Sequence, residues 1–266
     1  MIPQPDIHFP SLGVVHLFGH EVDLTIHSFG VLVATGILVG AWATRRRGRE
    51  LGLEDELVSQ MVTTVLVWGF IVAHLFDVVA YQGPDRFSLG NLLNIFGGFS
   101  SFGGFVGALA GLVYFGRKHK QPLMPYADAL AFGLAPGWMF GRLGCFTAGD
   151  HPGRLTTFFL AVNYHRNGVE GLRHDLGFYE ALWAMVMTAI FLVLARRKRP
   201  LGLYVTLLAL AYAPVRFLLD FLRATDVSGA DPRYFGLTPA QYGSLLMMVA
   251  AGVLVKWMRS HRVAEN

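Results

Sequence analysis

Seven long apolar stretches run through this chain, and the first, third, fifth and seventh each end in a run of arginine or lysine. The runs are Arg45-Arg46-Arg47-Arg49, Arg117-Lys118-Lys120, Arg196-Arg197-Lys198-Arg199 and Lys256-Arg259-Arg262. A bilayer core needs about 20 apolar residues per helix, and positive charge beside a span stays in the cytoplasm. The pattern therefore predicts an all-α polytopic membrane protein of seven transmembrane helices. Its N-terminus lies outside, its C-terminus is cytoplasmic, and a small loop region sits on the outer side. Composition agrees: 53% of the residues are hydrophobic and 15% charged, too apolar for a soluble domain of 266 residues.

The formal charge of +4 does not point to nucleic acid, because the basic residues cluster at span ends and every lysine falls in the inner runs. A single cysteine, Cys145, excludes an internal disulfide. The opening MIPQPDIHFP lacks the basic and apolar regions of a cleavable signal peptide. The whole chain, 1–266, reads as one integral membrane domain. Residues 1–24 form an outer arm, either laid along the membrane surface or disordered. Spans are expected over 25–44, 57–81, 99–116, 125–147, 176–195, 201–223 and 238–257. A Gly/Pro/Asn loop, 82–98, follows the second span, and 148–175 is the longest polar segment on the outer side. Gly103, Gly107 and Gly111 put a small-residue stripe on the third span, which lets helix backbones approach. Asp128 falls in the expected first turn of the fourth span, where an acid favours the helix dipole.

Ionisable groups inside a membrane are costly and mark function by default. Tyr212, Arg216, Asp220 and Arg223 share one helical stripe of the sixth span, two arginines against one aspartate. His74, Asp77 and Tyr81 share a face of the second span. Arg142 follows Gly141 near the outer end of the fourth, His27 lies near the outer end of the first, and His174, Tyr179 and Glu180 open the fifth. All fall in the outer half of the membrane on the predicted topology. Guanidinium matches phosphate with paired donors, so Arg142, Arg216 and Arg223 suit a phospholipid headgroup. A ladder of ion pairs that only joins helices is the competing reading. Glu180 could be a partner for one of the arginines, and Cys145 a small packing residue or a carrier of a covalent intermediate.

At 141–154, GRLGCFTAGDHPGR, the chain resembles the bacterial prolipoprotein diacylglyceryl transferases, whose signature is close to G-R-x-G-N-F-x-N-G-E followed by Gly-Arg. Gly141, Arg142, Gly144, Phe146, Gly149, Gly153 and Arg154 match it. His27 and Gly30, the glycines from Gly97 to Gly107, Asp128, Arg173-His174 with Tyr179-Glu180, the set from Tyr212 through Asp226, and Gln241 with Ser244 follow in the family's order. The chain departs at Phe102, where the family carries a histidine, and at Phe29, where it carries a tyrosine. It departs again at Cys145 and Ala148 for two asparagines, and at Asp150 and Asp220 for two glutamates.

The resemblance implies transfer of a diacylglyceryl group from phosphatidylglycerol to the lipobox cysteine thiol of lipoprotein precursors, with glycerol phosphate as the leaving group. The partners it implies are phosphatidylglycerol, the signal peptides of those precursors and the bilayer, with no metal or other cofactor. It places the protein in the bacterial cytoplasmic membrane, its site facing the outer leaflet. Arg142 and Arg216 are then expected to bind the phosphate and carry catalysis, with Arg223 or Arg154 as a further clamp. His151 is the candidate base, since histidine titrates near neutrality. His27, Asp150, Tyr179, Glu180, Tyr212 and Asp220 take supporting roles. Two alternatives stay open: a non-catalytic binder of phospholipid or lipoprotein precursors, and a phospholipid-dependent transferase with another nucleophile.

Overall fold

The computed structural model describes residues 2–5, 7–17, 20–81, 99–166, 168–227 and 230–264. The 82–98 connection lies outside the described residues, as do the side chains of Tyr81 and Phe102. Seven α-helices are described: α1 (Ser28–Glu50), α2 (Asp55–Tyr81), α3 (Ser101–His119), α4 (Leu123–Ala148), α5 (Leu176–Leu194), α6 (Leu203–Leu219) and α7 (Pro239–Ala264). A 3-10 turn, Asp220–Leu222, follows α6. Five stretches are long and apolar enough to cross a bilayer: Ser28–Glu50, Asp55–Val79, Leu176–Leu194, Leu203–Leu222 and Pro239–Ser260. This is a helical membrane protein. The helix α3 carries five glycines in 19 residues, which leaves its backbone open to close contact.

The chain divides into two compact units. One takes residues 1–42, 133–198 and 208–248. Its α1 and α4 pack backbone to backbone: a Cβ on Gly36 would lie 2.7 Å from the Gly137 carbonyl oxygen, and one on Gly40 would lie 3.1 Å from that of Gly133. Among the described residues of this unit there are six strands: β1 (Ile2–Pro3), β2 (His8–Leu17), β3 (His20–His27), β4 (Pro152–Leu155), β5 (Val162–Arg166) and β6 (Val169–Asp175). They were not foreseen. The N-terminal arm is an antiparallel β2–β3 ribbon, and the chain before it adds β1 as a parallel edge strand on β5. The 148–175 segment supplies β4, β5 and β6 of the sheet β1-β5-β6-β4 rather than a loop. The strands of 148–175 are short and polar and give a weak signal beside apolar helices, whereas β3 carries a period-2 pattern, Val22, Leu24 and Ile26 between Glu21, Asp23 and Thr25, from which a strand was findable.

This sheet ties down the helix ends on either side of it. Gly149 ends α4 at φ +66°, and a Cβ there would strike Gln4 Nε2 at 2.2 Å. Gln4 in turn accepts from the His165 backbone N–H at 3.2 Å. At the other end of the sheet, Asp175 caps α5 by accepting from the Phe178 N–H at 2.7 Å, and also accepts from the Tyr164 hydroxyl at 2.6 Å. Burial pushes the Asp175 carboxyl up to about 6 against these two hydrogen bonds. Arg173 holds Asp226 with two nitrogens at 2.9 and 2.7 Å and donates to the Gly153 carbonyl at 3.2 Å. The chain leaving the 3-10 turn is thereby fastened to the sheet.

The second unit takes residues 43–132, 199–207 and 249–266. The glycine stripe of α3 packs on α2 as its spacing predicts: a Cβ would meet Val72 carbonyl oxygen at 2.7 Å from Gly103 and Trp68 carbonyl oxygen at 2.4 Å from Gly107. Val58, Met61, Val65, Leu112, Phe115 and Tyr126 form a core there. Asp128 departs from its expected role. The helix α4 begins at Leu123, so Asp128 is past the first turn and fully buried. Its Oδ1 accepts from the backbone N–H groups of Tyr204 at 2.8 Å and Val205 at 3.3 Å, and its Oδ2 lies 3.5 Å from Arg47 Nη2. It caps the start of α6 instead of balancing the dipole of its own helix. Arg47, one of the basic run closing the first apolar stretch, is buried beside it.

Candidate active site

The site is assembled from three helices and the segments that follow two of them. In α4, Trp138 and Arg142 stand four residues apart on one face, and the guanidinium carbon of Arg142 lies 4.7 Å from the centre of the Trp138 ring. Glu180 comes from the second turn of α5, just past the Asp175 cap. Tyr212 and Arg216 come from α6, Asp220 from the 3-10 turn.

Glu180 is the hub. Its Oε2 lies 3.0 Å from Arg142 Nε and accepts from the Tyr212 hydroxyl at 2.7 Å, while its Oε1 lies 3.5 Å from Arg216 Nη1. Arg216 Nη1 also donates to Asp220 Oδ1 at 2.8 Å. Glu180, Arg142, Arg216, Asp220 and Tyr212 are all buried. Two arginines therefore face two carboxylates. Arg223, the other arginine of the expected stripe, pairs with Asp220 and Asp231, so three arginines stand with three carboxylates and the excess of positive charge expected from α6 alone is not found.

Asp220 is held from several directions. The helix α6 stops at Leu219, so Arg223 lies beyond it and folds back, its Nε 3.3 Å from Asp220 Oδ1 and 3.0 Å from Asp231 Oδ2. The Thr238 hydroxyl donates to Asp220 Oδ2. Thr238 is also the N-cap of α7. Its hydroxyl oxygen accepts from the Gln241 N–H at 3.2 Å, and Gln241 Oε1 accepts from the Thr238 N–H at 3.0 Å. Thr238-Pro239-Ala240-Gln241 is a capping box with proline at the first helical position.

Past α4, His151 bridges Asp150 and Arg142: Nδ1 is 2.5 Å from Asp150 Oδ1, and Nε2 is 3.1 Å from Arg142 Nη1. Arginine only donates, so His151 Nε2 accepts, and the ring is neutral with its proton on Nδ1 toward Asp150. Burial, with the Arg142 charge adding to it, holds the imidazole below the ordinary histidine value despite the Asp150 contact. Partial burial pushes Asp150 up, yet the hydrogen bond from His151 and the nearby Arg142 charge hold it below the usual carboxylate range. Cys145 Sγ lies 3.8 Å from Arg142 Nη1. Cys145, Asp150 and His151 bring one ligand-type atom each within 4.8 Å of one another, but both ring nitrogens of His151 already have partners. The trio is arranged as a hydrogen-bonded relay onto Arg142.

The remaining expected residues fall elsewhere. Arg154 is exposed on β4 and His27 is exposed at the last position of β3. The Tyr179 hydroxyl meets His174 Nδ1 at 2.9 Å and donates to the Leu160 carbonyl at 3.4 Å, bracing the sheet against α5. Trp138 and Thr238 were not singled out in the sequence. Trp138 was findable from its four-residue spacing to Arg142, and Thr238 from its T-x-x-Q pattern.

Comparison with known proteins follows the same residues. Residues 16–257 match the family described as prolipoprotein diacylglyceryl transferase. A phosphatidylglycerol–prolipoprotein diacylglyceryl transferase of Nitratidesulfovibrio vulgaris is 32% identical over 210 residues, covering 75% of this chain and 77% of the relative. One of Chromohalobacter salexigens is 29% identical over 245 residues, with 90% and 91% covered, and one of Cereibacter sphaeroides is 30% identical over 297 aligned positions, with 99% of each covered. With a matching family description over most of its length and its buried arginines drawn from the positions that carry the family's motifs, this chain belongs to the prolipoprotein diacylglyceryl transferase family.

Proposed function

We propose that this chain moves the diacylglyceryl group of phosphatidylglycerol onto the cysteine thiol of a lipoprotein precursor, releasing glycerol phosphate. The observation that carries this reading is the convergence of Arg142 and Arg216 on one carboxylate, Glu180, with His151 in contact with Arg142. Arg216 reaches both of its carboxylates through Nη1. Its Nε and Nη2 form the other edge of the fork, the edge that matches two phosphate oxygens. The sulfur of the substrate cysteine attacks the glyceryl carbon bonded to the phosphate oxygen. That carbon–oxygen bond breaks, its electron pair stays on the departing phosphate, and the guanidinium groups stabilise the charge that develops there.

The thiol proton needs an acceptor, because the thiolate is the reactive form. His151 Nε2 is engaged by Arg142 in the ligand-free site. When Arg142 turns its Nη1 to the phosphate, that lone pair is released and takes the proton, while Asp150 keeps the ring oriented through Nδ1. Lipid binding then switches on the base. Phe102 stands where the family has a histidine, and His151 supplies an imidazole in its stead.

In the membrane we place seven spans, with α3 and α4 as the third and fourth, the N-terminus outside and the C-terminus in the cytoplasm. The site then faces the outer leaflet of a bacterial cytoplasmic membrane, where the signal peptides of precursors arrive. The basic runs at alternate span ends support that orientation.

Incubating the purified protein with phosphatidylglycerol vesicles and a lipobox peptide tests the reaction. The expected result is a peptide heavier by one diacylglyceryl group, with one glycerol phosphate released per peptide modified. Glycerol phosphate without modified peptide would identify another nucleophile, and no turnover at high protein concentration would identify a binder.

A further inference from the structure

The connection between the 3-10 turn and α7 ends in a four-residue hairpin with a misfit at its tip. Tyr234 and Leu237 exchange both backbone hydrogen bonds, at 2.8 and 3.0 Å. The two residues between them, Phe235 and Gly236, have φ of +49° and +82°. Positive φ at both central positions marks a type I′ turn, whose preferred first residue is asparagine, aspartate or glycine. A bulky aromatic side chain in that conformation is an outlier that asks for a reason. Packing is not the reason, because Phe235 is fully exposed and Tyr234 beside it is largely exposed.

The tip is nevertheless held in place. The Tyr242 hydroxyl, from the first turns of α7, donates to the Tyr234 carbonyl at 2.7 Å, and Arg233 Nη1 donates to the Gly236 carbonyl at 3.4 Å. Its location is fixed by the chain itself. Phe235 lies four residues before Pro239, the start of an apolar stretch long enough to cross the bilayer. Four residues reach no more than about 14 Å, so the tip stays close to the level at which that stretch enters the membrane. Aromatic rings partition to that zone.

We propose that the Tyr234–Leu237 hairpin is a membrane-interface anchor, with the Phe235 ring inserted among the lipids of the leaflet where α7 begins. The same segment carries three contacts to the site: Asp231 pairs with Arg223, Arg233 Nη2 donates to the Asp220 carbonyl at 3.5 Å, and the Thr238 hydroxyl donates to the Asp220 carboxylate. A ring fixed in the leaflet therefore holds the backbone that positions Asp220, at the depth from which a phospholipid enters.

Photocrosslinking from the tip decides the matter. The full chain carrying Phe235→p-benzoylphenylalanine is irradiated in native membranes beside a control with the same substitution at Leu246, an exposed position within the α7 span. The expected result is a phospholipid-mass adduct on both. A lipid adduct on the control with none, or a protein adduct, at Phe235 overturns the anchor. The variant Phe235→Asn places a favoured residue in the turn and is expected to keep or raise the thermal midpoint in detergent. A drop of several degrees would mean that the ring is packed, which also overturns it. Both measurements read lipid contact and stability, not turnover, so they stand apart from the test of the proposed reaction.

Discussion

The Glu180 cluster and the Asp128 cluster both bury arginine against carboxylate, and they differ in what the carboxylates accept. Asp128 Oδ1 takes two backbone N–H groups at the start of α6, with Arg47 beside the other oxygen. Backbone donors are fixed by the fold, so this carboxylate has a structural task that a ligand cannot take over. Glu180 accepts a hydrogen bond from the Tyr212 hydroxyl and is ion-paired with Arg142 and Arg216, so the partners found for it are side chains. Those donors can turn to another anion without unwinding a helix. A buried ion pair contributes little net stability over apolar packing, so an arrangement held by movable donors on a single carboxylate is better explained by ligand exchange than by folding. Burial and charge alone do not separate the two cases; the partner list does.

Substitution should split the two clusters. The largest effect expected is on stability from Asp128→Ala, which removes the α6 cap and leaves Arg47 buried without its acid. It should cost about 3–5 kcal/mol, read from the unfolding midpoint in detergent. The rate per folded molecule should stay close to that of the parent. A tenfold fall in that rate would place Asp128 in the catalytic machinery and break the contrast.

Next in size is His151→Ala, expected to slow peptide modification by roughly 10²-fold with the fold intact. The base must be neutral to act, and burial beside Arg142 holds it below the ordinary histidine value. The acid limb of the rate profile should therefore fall below pH 6.5 in the parent and disappear in the variant. An unchanged limb would assign the proton to another group.

A smaller effect concerns Asp175, whose carboxyl is raised to about 6. A raised carboxyl favours the protonated folded state, so its contribution to stability is complete below about pH 4, the unfolded value, and is lost as pH climbs through 6. The thermal midpoint of the parent should fall over that window relative to Asp175→Asn, which retains an acceptor for the Phe178 N–H. Parallel curves would show that the group does not titrate there. Smallest is Thr238→Ala, expected to lower stability by about 1 kcal/mol through loss of the α7 cap. Because Thr238 also donates to Asp220, it should reduce turnover by more than the stability loss explains. A purely structural cap would leave turnover per folded molecule unchanged.

Much of the helical frame was legible because a bilayer demands long apolar runs, and the α3 glycine stripe was legible because close packing leaves a four-residue spacing. Arg142, Arg216 and Asp220 stood out because charge inside an apolar run is rare. The shared role of Glu180 could not be read in full, since which helices approach depends on packing between distant segments. Asp128 was misread for a related reason. An acid near a helix start looks like a dipole partner, until the fold brings the α6 N-terminus to it. The sheet over 148–175 was missed because its strands are short and polar.

The central claim is that Arg142 and Arg216 grip one lipid phosphate through the reaction. The most direct test measures glycerol phosphate release and peptide modification together, per folded molecule, for Arg142→Ala and Arg216→Ala in phosphatidylglycerol vesicles. The account predicts that both products fall in step by roughly 10²–10³-fold in each variant, with both proteins still folded. Turnover within threefold of the parent in either folded variant would contradict it.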